Sequence, residues 1–89
     1  MTGLFSVRYY GIKNNMSKLE HKKHYDESGK LEYEVWRLNG KLHRTDGPAH
    51  IGYYESGELR CEAWWLNGKH HRTDGPAFIS HHKNGKLRY

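Results

Sequence analysis

The sequence predicts an all-β fold: an elongated, single-layer antiparallel β-meander of hairpin repeats with a 28-residue period. Three observations predict it. The phrase "LNGKLHRTDGPA" returns 28 residues later as "LNGKHHRTDGPA", and a phrase repeated at fixed spacing marks a unit that stacks on copies of itself. Asn-Gly and Ser-Gly turn signals alternate at strand-length intervals, as hairpins require. Apolar residues, Gly not counted, make up only 35% of the 89, against roughly 45–50% with Gly counted in a typical domain. That composition cannot fill a thick core. Three Trp and seven Tyr suit a thin sheet crossed by rings with an apolar body and a wet polar tip.

Residues 1–24 read as a divergent N-terminal repeat or cap. "FSVRYYGI" is strand-like, with Phe5, Val7 and Tyr9 on one side. "HKKHY" falls about one period before "IGYYE", which favours a degenerate repeat. Ser17 and Glu20 instead match a capping box that would open a short helix, so a short N-terminal strand or helix stays open.

Residues 25–89 are the repeat sheet, divided as 25–52, 53–80 and a partial unit 81–89. Aligned on Gly29, Gly57 and Gly85, segments 25–51 and 53–79 agree at 19 of 27 positions. "KLEYEVWRL" and "ELRCEAWWL" are strand-length and rich in strand formers. Strict alternation puts Leu31, Tyr33 and Val35 on one face, with Leu59, Cys61 and Ala63 in the next unit. Glu32, Glu34, Trp36 and Leu38 take the other face, with Arg60, Glu62, Trp64 and Leu66. Asn39-Gly40 and Asn67-Gly68 predict two-residue type I′ turns. In "TDGP", Asp46 and Asp74 can bond the following backbone, Gly47 and Gly75 tolerate unusual dihedrals, and Pro48 and Pro76 cannot donate to a ladder. The phrase is a bend between two stretches of pairing.

The net charge of +5 is uneven. Residues 1–24 carry +4, each of the two units −1, and residues 81–89 carry +3. A protein tracking phosphates along its repeats would place a basic stripe on every copy. Cys61 is the only cysteine, which excludes an internal disulfide and multi-cysteine metal sites and points to a cytoplasmic location. No apolar run approaches the roughly 20 residues of a membrane-spanning helix.

His43-Arg44-x-Asp46 and His71-Arg72-x-Asp74 look like acid–base sets. A thin sheet offers them a shallow pocket at most, and Arg44–Asp46 and Arg72–Asp74 ion pairs beside the bend explain them more simply. Equivalent histidines recur about every 10 Å, two strands of ~4.8 Å apart, too far to share a zinc whose ligands lie about 2 Å from the ion. No metal, cofactor or catalytic residue is expected. Trp36 and Trp64 read first as ladder residues shielding neighbouring hairpins. Trp65 replaces Arg37 of the preceding unit, Tyr54 replaces Asp26, and Phe78 replaces His50. Such departures towards aromatics beside Arg are what interface anchors look like.

With these residues in view, "YDESGKLEYEVWRLNGKLHR" and "YYESGELRCEAWWLNGKHHR" resemble the variant MORN (membrane occupation and recognition nexus) repeat. The likeness covers residues 25–89. Tyr25, Gly29, Leu31, Asn39, Gly40, Lys41 and His43 fit the pattern, as do Tyr53, Gly57, Leu59, Asn67, Gly68, Lys69 and His71. Arg44 and Arg72 depart from it, standing where the commoner variant has Gly. The longer phrase is similar to repeats of small bacteriophage and giant-virus proteins. The resemblance implies a hairpin-repeat sheet used for binding and without enzymatic activity. Family members are linked to protein scaffolding, anionic lipid, and antitoxin or immunity roles in bacteria.

The expected function is a non-enzymatic protein-binding inhibitor, either phage-encoded against a host defence protein or an immunity-type antitoxin. Its partner-binding residues would be Trp65, Tyr54 and Phe78, with Arg44 and Arg72 as directional donors, flanked by Trp36, Trp64, His43 and His71. The alternative is a binder of anionic ligands (nucleic acid, nucleotide or acidic phospholipid) through the basic ends and the Arg–aromatic surface. The chain's "GKLRY" edge is blunted by Lys86 and Arg88, or else joins two copies as a homodimer.

Overall fold

The computed structural model describes residues 3–10, 17–82 and 87–88, with side chains for 18–82. Every described element is a strand. In chain order they are β1 (Gly3–Tyr10), β2 (Ser17–Tyr25), β3 (Leu31–Leu38), β4 (Lys41–Leu42), β5 (His50–Tyr53), β6 (Leu59–Ala63), β7 (Trp65–Leu66), β8 (Lys69–His70), β9 (Phe78–His81) and β10 (Leu87–Arg88). The main sheet runs β1-β2-β3-β5-β6-β9-β10, with β4 also on β3 and β7–β8 as a separate hairpin. Its pairings are antiparallel throughout, and the molecule measures 47 × 34 × 15 Å. The thin dimension fits one sheet with its side chains, since a second layer would add about 10 Å. Ser17 and Glu20 open strand β2; the helix their capping-box spacing allows is not formed.

The turns follow from local chemistry. Asn39 and Asn67 both sit at φ 50, Gly40 at 85 and Gly68 at 80, the paired positive dihedrals of a type I′ turn. At the other end of the strands, Asp26 Oδ1 accepts from the Ser28 and Lys30 backbone N–H groups and the Ser28 hydroxyl. After the Asn-Gly turn, β4 pairs with the end of β3 (Arg37↔Leu42). The chain then bends and returns as β5 beside the start of β3 (Val35↔His50). One long strand thus serves two short return strands.

A repeated irregularity corrects the simple alternation. The register slips between His24 and Tyr25 against β3, and again between Gly52 and Tyr53 against β6. Each slip skips one residue, Glu32 and then Arg60, a β-bulge of two residues against one. Leu59 therefore lies opposite Tyr53, whose hydroxyl reaches Glu34 on the far side. Leu31 and Leu59 leave the face of Val35 and Ala63, and Glu32 and Arg60 join it. Arg60 brings its guanidinium within 3.0 Å of where a Cβ on Gly52 would stand.

Two faces result. Opposed residues of antiparallel strands share a face, so Lys22, Val35, His50, Ala63 and Phe78 form one row, and His24, Tyr33, Gly52, Cys61 and Ser80 the next. The opposite face carries Lys23, Glu34, Ile51, Glu62 and Ile79. Among the described residues the buried apolar set is small: Val35, Ala49, Cys61, Ala63 and Ile79. With so little core, cross-strand side-chain pairs hold the sheet.

Candidate functional site

On the Glu34 face, each "HRTDGP" phrase folds into a clasp. The Arg44 guanidinium carbon lies 3.9 Å from the Trp36 ring centre, and that of Arg72 lies 3.8 Å from Trp64. Arg44 Nε donates to Asp46 Oδ1 (2.8 Å) and its Nη1 to the Pro48 carbonyl (3.2 Å). Arg72 repeats this with Asp74 and Pro76. The Arg44 hydrogen bond holds Asp46 below the usual carboxylate range. Gly47 and Gly75 have no positive φ. Their requirement is space: an added Cβ would meet the guanidinium carbon at 3.0 Å and 2.9 Å. The dihedral role expected for these two glycines is thereby replaced by a packing role.

The carboxylates of this face are also engaged. Glu34, 8% exposed, accepts from the Tyr53 hydroxyl (2.5 Å) and pairs with His21 Nε2 (2.9 Å). Burial pushes its carboxyl up, but the hydrogen bonds from Tyr53 and His21 outweigh burial and hold it below its ordinary value. Burial and the Glu34 hydrogen bond raise the Tyr53 phenol. Glu62 pairs with His81 Nε2 at 3.0 Å. Trp36 stacks on His21 at 4.1 Å.

The Val35 face differs in charge and in what it leaves uncovered. His24, Tyr33 and His50 form a ladder of stacked rings across β2, β3 and β5, with centroids 4.7 and 5.8 Å apart. Burial, then the charges of Arg60 and Arg37, push the His50 imidazole below its ordinary value. Arg37, Arg60 and Lys22 form no ion pair among the described residues. Phe78, in the Lys22–His50 row, is 50% exposed. Trp65 follows Ala63 by two residues, on the same side of the extended chain, and its ring lies 3.8 Å from His70.

The expected site residues therefore divide. Phe78 and Trp65 share the cationic Val35 face. Trp36, Trp64, Arg44 and Arg72 are joined in the clasps of the Glu34 face. Tyr54 donates its hydroxyl to the His81 carbonyl (2.6 Å), bridging to β9 where Asp26 in the previous unit closes a turn. His43 Nδ1 accepts from the Asn67 N–H (3.0 Å) and so ties one unit to the next. His71 is exposed. Sequence reasoning missed Arg60, Arg37, His50 and the Tyr33 ladder. The replacement of Glu32 by Arg60 between units was a visible signal, but the bulge that turns it over was not.

A shallow hollow lies between two turns, lined by Lys30, Leu31, Tyr53, Glu55, Ser56 and Gly57. No histidine lines it. No helix of the described residues is long and apolar enough to cross a membrane. No family model, curated protein or solved structure matches this chain.

Proposed function

We propose that this chain is a non-enzymatic binding module that seats a partner protein on the Val35 face and inhibits that partner by covering its working surface. The observation that carries the reading is the half-exposed Phe78 ring on a face whose cations, Arg37, Arg60 and Lys22, have no carboxylate partner among the described residues. An aromatic anchor among arginines is the composition of binding hot spots. Cations without a carboxylate partner suit an acidic patch opposite and speed encounter with it. Catalysis has less support, because the His-Arg-x-Asp arginines and aspartates hold the clasps and the hollow contains no histidine.

An inhibitor of a host defence protein, or an immunity-type antitoxin on its toxin, is the setting in which a small sheet acts by coverage alone. The variant MORN resemblance and the phage-like phrase support that setting. The test is capture from host lysate with wild-type protein and with Phe78→Ala and Arg60→Glu. The same protein should be retained by wild type and weakened tenfold or more by either change, as truncating an anchor costs over ~1.4 kcal/mol. Retention unaffected by both would remove this face from the account.

The unpaired Arg37 and Arg60 also favour a second reading, binding of a nucleic acid or another polyanion. The ring ladder weighs against it, since His24, Tyr33 and His50 spend their faces on one another and leave little for bases to stack on. Retention on heparin that falls steeply with salt, with no protein captured, would favour the polyanion.

A further inference from the structure

β1 pairs with β2 along its whole length, from Gly3↔His24 to Tyr10↔Ser17, and among the described residues no strand lies on its other side. A strand paired on one side leaves a row of N–H and C=O groups open to another chain. Edges are ordinarily blunted by Pro, Lys, inward charges, bulges or short length. β1 has eight residues, "GLFSVRYY", with Arg8 as its one charge and no Pro. Its register with β2 is unbroken, whereas both β2–β3 and β5–β6 contain a bulge.

The topology also selects how a second strand can be added. Seven strands lie along β1-β2-β3-β5-β6-β9-β10, each antiparallel to its neighbour. The two outermost strands, β1 and β10, consequently run in the same direction. A copy added by simple translation would set β10 parallel to β1, against the alternation of the sheet. A copy added by a two-fold rotation about an axis normal to the sheet sets β1 antiparallel to β1 of that copy. Such a contact is isologous and closes at two chains.

We propose that β1 is a self-association edge, and that two copies join through it into one continuous antiparallel sheet. The axis normal to the sheet keeps both Val35 faces on the same side. The dimer therefore presents two copies of the Phe78–Arg60 surface in one plane, a bivalent arrangement that strengthens binding to a partner that is itself paired. The inference concerns the edge and not the face, so it stands or fails separately from the proposed function.

The test is sedimentation of the full chain across a concentration series, followed by spin-label distances on a Cys61→Ala background. Twice the chain mass is expected. Ser6 lies at the centre of β1, and labels there should come within roughly 10 Å across the axis, since opposed residues lie about 5 Å apart. Labels at Ser80 on β9 should stand roughly 50 Å apart, at ~4.8 Å per strand. A chain that stays monomeric throughout overturns the proposal. So does a dimer in which the Ser6 labels are far apart.

Discussion

Replacing Gly47 by Ala isolates what the "HRTDGP" phrase does. Gly47 has no positive φ, so its backbone accepts an L side chain. The added methyl would sit 3.0 Å from the Arg44 guanidinium carbon and 3.3 Å from Nε. The guanidinium must then give by a few tenths of an ångström, which loosens its seat on Trp36. The cation–π contact is worth about 1 kcal/mol for a part-exposed pair, and the Arg44–Pro48 hydrogen bond at 3.2 Å adds about 0.5–1 kcal/mol. The Asp46 side chain is 81% exposed, so its ion pair contributes little in water. Gly47→Ala should cost up to about 2 kcal/mol, the figure for losing both contacts, in urea unfolding followed by tryptophan fluorescence. The decisive arm is the double-mutant cycle. In an Arg44→Ala background the clash is gone, and Gly47→Ala should be neutral or stabilise by about 0.4–1 kcal/mol by restricting the unfolded chain. An equal cost in both backgrounds would refute the packing explanation and return the glycine to a backbone role.

Two further predictions concern titration. His50 is held below its ordinary 6.5 by burial and by Arg60 and Arg37. The unfolded chain then binds the proton more readily than the folded one, so the stability gained from neutral His50 is complete above about 6.5 and is lost as pH falls through the lower folded value. His50→Leu should flatten the loss of stability below that pH, measured as urea midpoints across a pH series; an unchanged slope would count against the arginine cluster. Tyr53→Phe removes a donor to buried Glu34 and should cost about 1.5–3 kcal/mol, the range for hydrogen bonds to charged groups. Glu34 is held below 4.5, so its contribution is present above that pH and lost on acidification. Without Tyr53 its carboxyl rises, and the acid-unfolding midpoint should move to higher pH; a midpoint that stays put would deny the bond its effect.

Much of the fold is legible because it is written in local turn chemistry. Asn39-Gly40 and Asn67-Gly68 need positive dihedrals, and few other residue pairs supply them. The Arg44–Asp46 and Arg72–Asp74 pairs are legible too, being two residues apart. The stacking of Arg44 on Trp36 is not, since it depends on where the bend returns the chain. The bulges at Glu32 and Arg60 leave no trace in the pattern, because a polar residue fits either phase of an alternating strand. That one slip decides which side Arg60 faces, and with it the charge of the Val35 face. Tyr54 shows the converse. Its departure from Asp26 reads as an exposed anchor, while its hydroxyl reaches the β9 backbone.

The central claim, that one face of a single sheet grips a macromolecule, is tested most directly by site-specific photo-crosslinking. A crosslinking residue placed at Phe78 and, separately, at Lys23 samples the two sides of the same sheet. Exposed to host lysate, the probe at position 78 should form one discrete adduct with a protein, and the probe at position 23 none. An adduct confined to position 23, or equal labelling from both sides, would contradict the account.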